Sequence, residues 1–193
     1  PVGGKVPTPS EINRFLDAGE PPVIFTLGST AVHVAGPFYQ AAADACRILG
    51  RRGMLLTGKR PHAPSSLPPG VRAFTYAPYG EVLPRGCATV HHGGIGTTAQ
   101  GLRSGKPSVV VPFAHDQFDN AARVRRLGVS ATVSRNRVSG PALAAALRQV
   151  LDAPECARRA CDLGSKLREE DGAVTAAEHL EAVARSGHGI SKN

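Results

Sequence analysis

The chain has 193 residues, 41% of them hydrophobic and 20% charged, with a formal net charge of +8 at pH 7. That length and apolar content suit one packed domain with a trailing extension, and they exclude a disordered or fibrous chain. No apolar run approaches the roughly 18 residues that begin to read as a membrane span, and the first residues lack the basic, apolar, small-residue order of a secretory leader, so the default expectation is a cytoplasmic protein.

Pro7, Pro9, Pro21 and Pro22, together with an opening at Pro1 without a Met, make residues 1–22 read as a linker from an N-terminal domain of a longer polypeptide. Val23-Ile24-Phe25-Thr26-Leu27 is then an apolar run closed by Gly28-Ser29, and the Ala-rich stretch from Gly36 to Leu49 has helical character. The pattern repeats with a strand from Met54 to Thr57, a Pro-rich loop over residues 58–70 and a strand from Val71 to Thr75. A turn around Ala77-Pro78-Tyr79 and a short helical piece near Glu81-Val82-Leu83 lead to the strand Cys87-Ala88-Thr89-Val90. A helix opens after Gly96, its first turns read at Thr98 to Arg103, and stops at Gly105 and Pro107. Ser108 to Val111 and Ser130 to Val133 are the last strands, with a helix from Gln117 to Leu127 between them. Leu143, Leu147, Val150 and Leu151 recur at helical spacing, as do Ala173, Ala176, Ala177, Leu180, Val183 and Ala184. The domain expected is therefore 23–152, with helices over 153–185 covering the same sheet and a disordered tail at 186–193.

Short β-branched runs alternating with helices define a parallel sheet buried on both faces. Ligands of such sheets sit beyond the carboxyl ends of the strands, where Gly28-Ser29, His91-His92 and His115-Asp116 all fall. The segment His91-His92-Gly93-Gly94-Ile95-Gly96-Thr97-Thr98 is the most telling of the three, because it joins a strand to a helix through glycines. The first amides of a helix lack intrahelical partners and sit at the positive end of its dipole, and glycine lets phosphate oxygens approach them. Thr97, Thr98 and His92 add side-chain donors, so the expected ligand is a phosphate ester or diphosphate. His91, pointing the other way along the strand, is expected to be structural.

Several other chemistries compete. Gly94-x-Gly96-x-x-Ala99 matches the dinucleotide fingerprint, with Asp116 about twenty residues beyond, which keeps a nicotinamide oxidoreductase open. Gly101 to Pro107 has the wrong spacing for a Walker loop and runs from a helix into a strand. Cys46, Cys87, Cys156 and Cys161 contain no CxxC pair and read as small hydrophobes rather than metal ligands or disulfides. Aromatics at 5%, with no RNA-recognition or zinc-finger signature, argue against a nucleic-acid partner.

Four motifs occur in order: Tyr76-Ala77-Pro78-Tyr79, His92-Gly93-Gly94-Ile95-Gly96-Thr97, Gly105-Lys106-Pro107 and Pro112-x-x-x-Asp116-Gln117-x-x-Asn120-Ala121. From Val23 to Leu151 the chain resembles the donor-binding half of UDP-glycosyltransferases with the GT-B fold. The resemblance implies a three-layer α/β/α Rossmann-like parallel sheet. It implies that Tyr76 stacks on the nucleobase, that the Ala77 backbone pairs with the base edge, and that Tyr79 and Gln100 lie toward base and ribose. It places His92, Gly94, Gly96, Thr97, Gly28 and Ser29 around the diphosphate, and Asp116 and Gln117 on the hydroxyls of the transferred sugar. Plant members carry a Glu where this chain has Gln100 and a Gln where it has Tyr79, which leaves UDP against dTDP undecided. The histidine base of the family belongs to an N-terminal acceptor domain and has no counterpart here. The expected function is nucleotide-sugar binding for an inverting hexosyl transfer, without a metal or other cofactor. A nucleotide-sugar epimerase or a non-catalytic nucleotide-binding module are the alternatives.

Overall fold

The computed structural model describes residues 9–29, 31–58 and 64–187. Six strands, β1 (Val23–Thr26), β2 (Gly53–Leu56), β3 (Val71–Phe74), β4 (Ala88–His91), β5 (Ser108–Val110) and β6 (Ser130–Thr132), pair in parallel in the order β3-β2-β1-β4-β5-β6. The chain builds outward from β1 to the β3 edge, then returns to lay β4 against the free side of β1. At such a reversal the turns leaving the two neighbouring strands diverge and open a crevice. The register sets Thr26 beside His91, so the turns after β1 and β4 begin side by side.

Alternation along each strand divides the core. Val23, Phe25, Leu55, Val90 and Val109 face α2 (Phe38–Leu49) and α6 (Gly140–Leu151), where Leu143 and Leu147 are fully buried. Ile24, Met54, Leu56 and Phe74 face the opposite layer, packed by α1 (Ser10–Asp17) and α3 (Tyr79–Val82). That layer continues with α4 (Ile95–Arg103), α5 (Gln117–Arg126) and α7 (Pro154–Glu169), joined through Leu102, Val124, Ala160 and Leu163. Each fully buried Leu or Phe contributes about 1.5–3 kcal/mol of transfer free energy, which makes this two-sided burial the main support of the strand tips.

Two expectations change. Within the segment read as a linker, residues 10–17 are helical: Ile12, Phe15 and Leu16, at helical spacing, are buried against the sheet. Arg52 lies 4.4 Å over the Phe15 ring and donates to the Phe15 and Glu20 carbonyl oxygens. Pro9 stands just ahead of the helix, where a missing N–H costs nothing. Residues 1–8 lie outside the described residues.

The second concerns α8 (Gly172–Gly187), which was expected to cover the sheet. Residues 172–185 are exposed on every side, Val174, Leu180 and Val183 at 52%, 72% and 68%, so α8 buries no face against the sheet. Of the tail expected to be disordered, Ser186 and Gly187 belong to α8 and residues 188–193 lie outside the described residues. Among the described residues no helix is long and apolar enough to cross a membrane.

Candidate functional site

The site is built around one buried ring. β4 runs one residue further than the sequence suggested, so His91 ends the strand with its side chain under α4, 1% exposed. Its Nδ1 accepts from the Gly93 N–H at 3.1 Å, which fixes the turn and requires an unprotonated Nδ1. Burial, with His92 adjacent, pushes the His91 pKa down to about 3. His91 is structural, as its alternation along the strand implied.

His92 projects the other way, toward the turn after β1. A Cβ on Gly28 would lie 2.6 Å from its Cε1, and a Cβ on Gly94 would lie 2.4 Å from its Nε2. The ring is therefore held between two glycines that leave it room, and only 6% of the residue is exposed. Gly28 also sits at φ 65, which glycine alone adopts without penalty. Burial lowers the His92 pKa, opposed by the Asp116 carboxylate, so the imidazole is neutral near pH 7 and donates from one nitrogen. Its Nδ1 is buried with no hydrogen-bond partner among the described residues. A buried ring nitrogen without a protein partner is unusual and is suited to a ligand oxygen.

The helix beyond the turn opens at Ile95, earlier than the sequence reading put it. Gly94 is its extended N-cap and no side chain caps it. The leading amides of α4 thus face the strand tips unclaimed, at the positive end of the helix dipole. Thr97 follows in the first turn, largely buried, and reaches the adjoining cleft.

That cleft measures about 740 Å³ and collects Gly28, Ser29, Tyr76, Ala77, Tyr79, Gly96, Thr97 and Gln100 from three separate segments. Tyr76 is 62% exposed, a flat ring free to stack, while Ala77 is buried beside it. Gln100 projects from α4 toward Gly80. Tyr79 lines the same cleft, and its hydroxyl lies 2.6 Å from Thr26 Oγ1, which also accepts from the Gly28 N–H at 3.2 Å. Burial raises the pKa of this phenol. Thr26 went unnoticed in the sequence because its role depends on a partner 53 residues away.

Asp116 and Gln117 lie outside the cleft lining, at the carboxyl end of β5. Gln117 is buried, and its Oε1 accepts from the Phe113 and Ala114 amides at 2.8 and 3.1 Å, leaving the amide NH2 for other contacts. Asp116 stands at the N-cap of α5 without making a capping bond; its carboxylate instead accepts from Asn120 at 2.8 Å. The same Asn120 amide donates to the Gly93 carbonyl at 2.9 Å, tying the carboxylate to the glycine turn. Asp116 and Asn120 are four apart, one helical turn, the signal in the motif that identifies this tie. His115, at φ 56, takes the left-handed conformation that sets Asp116 at the helix start. Among the described residues no three His, Cys, Asp or Glu side chains gather as a metal site.

A doubly wound parallel sheet with a glycine-and-histidine turn at its reversal point and an aromatic-lined cleft beside it defines the C-terminal domain of a GT-B glycosyltransferase. The chain belongs to the family described as Erythromycin biosynthesis protein CIII-like, C-terminal domain, whose model matches residues 54–183. It is 40% identical over 182 residues to the O-mycaminosyltylonolide 6-deoxyallosyltransferase of Streptomyces fradiae, covering 93% of this chain and 42% of that protein. The crystallised glycotransferase of kitacinnamycin superposes with a TM-score of 0.76 at 30% identity, over 94% of this chain and 46% of that one. The glycosyltransferase SnogD from Streptomyces nogalater gives 0.74 at 26% identity, over 95% and 49%. The chain thus spans somewhat under half the length of these relatives. The nicotinamide reading is not favoured: the relatives are glycosyltransferases, and the fingerprint glycines follow β4 rather than the first strand of a unit.

Proposed function

We propose that this chain holds the activated sugar for an inverting glycosyltransferase, binding UDP- or dTDP-hexose and presenting its anomeric carbon to an acceptor hydroxyl. The observation that carries this reading is the imidazole wedged between Gly28 and Gly94 at the uncapped start of α4. As the bond to the sugar breaks, negative charge grows on the diphosphate, and donors already fixed there stabilise that charge more than they stabilise the bound donor. The nucleobase lies on Tyr76 beyond β3, the diphosphate beyond β1 and β4, and the hexose near Asp116 and Gln117 beyond β5.

The acceptor and the base that deprotonates it come from an N-terminal domain of the same polypeptide. No divalent ion enters the reading, since backbone amides and the imidazole receive the charge. Titration calorimetry of the chain with UDP, dTDP and NAD tests it. Binding of UDP or dTDP that survives a chelator supports the proposal; a response to NAD alone overturns it.

A further inference from the structure

Tyr79 is half-buried at the wall of the cleft, and its hydroxyl already has a protein partner. It pairs with Thr26 Oγ1 at 2.6 Å, and Thr26 Oγ1 accepts from the Gly28 N–H at 3.2 Å. Gly28 in turn packs directly on the His92 ring. These contacts form one continuous path from the segment under the nucleobase platform, Tyr76 to Tyr79, to the imidazole at the reversal point. Thr26 is 1% exposed and ends β1, so it cannot shift to follow either neighbour.

Resting on the donor-binding reading above, we infer that Tyr79 is a positioning residue: through Thr26 its hydroxyl sets the Gly28 turn against His92, and so serves the diphosphate rather than the base. The chemistry of the pairing fits. A threonine hydroxyl accepts two hydrogen bonds and donates one, so Thr26 Oγ1 can accept from the Gly28 N–H and still pair with the phenol, whichever of the two hydroxyls donates. Without this acceptor the half-buried Gly28 N–H loses its protein partner, and with it the bond that holds the turn at positive φ against the end of β1. Removing the phenol oxygen loosens the turn without touching any phosphate.

The test uses the whole chain and two ligands that share a base, UDP and UMP. In Tyr79→Phe the affinity for UDP should fall about five-fold, the usual scale of one hydrogen bond, while the affinity for UMP changes less than two-fold. Thr26→Val should reproduce that split, Thr26→Ser should restore UDP binding, and the double variant Y79F/T26V should be no worse than either single one. Equal losses for UDP and UMP in Tyr79→Phe, or unchanged UDP binding in Thr26→Val, would overturn the inference. A readout independent of nucleotide keeps it separate from the donor proposal: the Gly28 amide and His92 imidazole resonances of the free chain should move in Tyr79→Phe. If they stay in place the relay is wrong. If they move while the parent chain binds no nucleotide, the relay stands and the donor reading falls.

Discussion

The imidazole of His92 fills the space that a side chain at position 94 would need: a Cβ there would meet Nε2 at 2.4 Å. Gly94 has φ −60 and ψ 142, a conformation open to any residue. Its glycine is therefore required by the ring and not by the backbone. Gly94→Ala should weaken UDP or dTDP binding in the parent chain and have little further effect in a His92→Ala background. His92→Ala alone should cost about 1.5–3 kcal/mol, the range for hydrogen bonds to charged groups. A double-mutant cycle by calorimetry reads the coupling, and additive losses would separate the two residues.

Acid stability should be governed by His91. Its folded pKa of about 3 lies below the unfolded value of about 6.5. Between those values the unfolded chain binds a proton that the folded chain refuses, so stability is complete above about pH 6.5 and drains away as pH falls toward 3. His92, also lowered, adds in the same direction. His91→Asn keeps an acceptor for the Gly93 amide, in the manner of an Asx turn, yet does not titrate. Urea titrations between pH 7 and 4 should show a shallower decline for that variant than for the parent.

Tyr76 should act on the base alone. Tyr76→Ala is expected to cost about 0.5–1.5 kcal/mol of UDP affinity, the worth of an aromatic stacking pair, and to leave inorganic pyrophosphate binding unchanged. Competition titrations with the two ligands check the separation.

The two apolar helices at the end of the chain should respond in opposite ways. Leu147→Ala in α6 removes a fully buried side chain and should cost about 2–5 kcal/mol in chemical denaturation. Leu180→Ser in α8 should change stability by less than about 0.5 kcal/mol, because that residue is already in water.

Much of this was legible in the residues, and the reasons are physical. Strands buried on both faces read as unbroken apolar runs, so all six were visible within a residue or two at their ends. The positions beyond their tips followed from that. Pairing order was not legible, since nothing local in Val23 to Thr26 says that β4 will lie beside it. Hence the residues alone do not show that Gly28, after β1, leaves room for the His92 ring, a contact that the β1–β4 pairing creates. The bond between Tyr79 and Thr26 is hidden for the same reason, since it spans 53 positions. The helix at Ser10–Asp17 had its apolar triplet in plain view, but flanking prolines and a length of only 8 residues hid it. For α8 the amphipathic spacing was clear, and a repeating stripe identifies a face without naming what covers it.

The strand order carries one more implication. From the tip of β3 to that of β5 there are four gaps of about 4.8 Å, roughly 19 Å in all, close to the reach of an extended sugar nucleotide. Segments 76–81 and 112–117 stand at opposite ends of that span on separate connections, with the rigid sheet between them. Loop exchange at one end can therefore alter which base is accepted while leaving carbohydrate preference intact, and the reverse holds at the other.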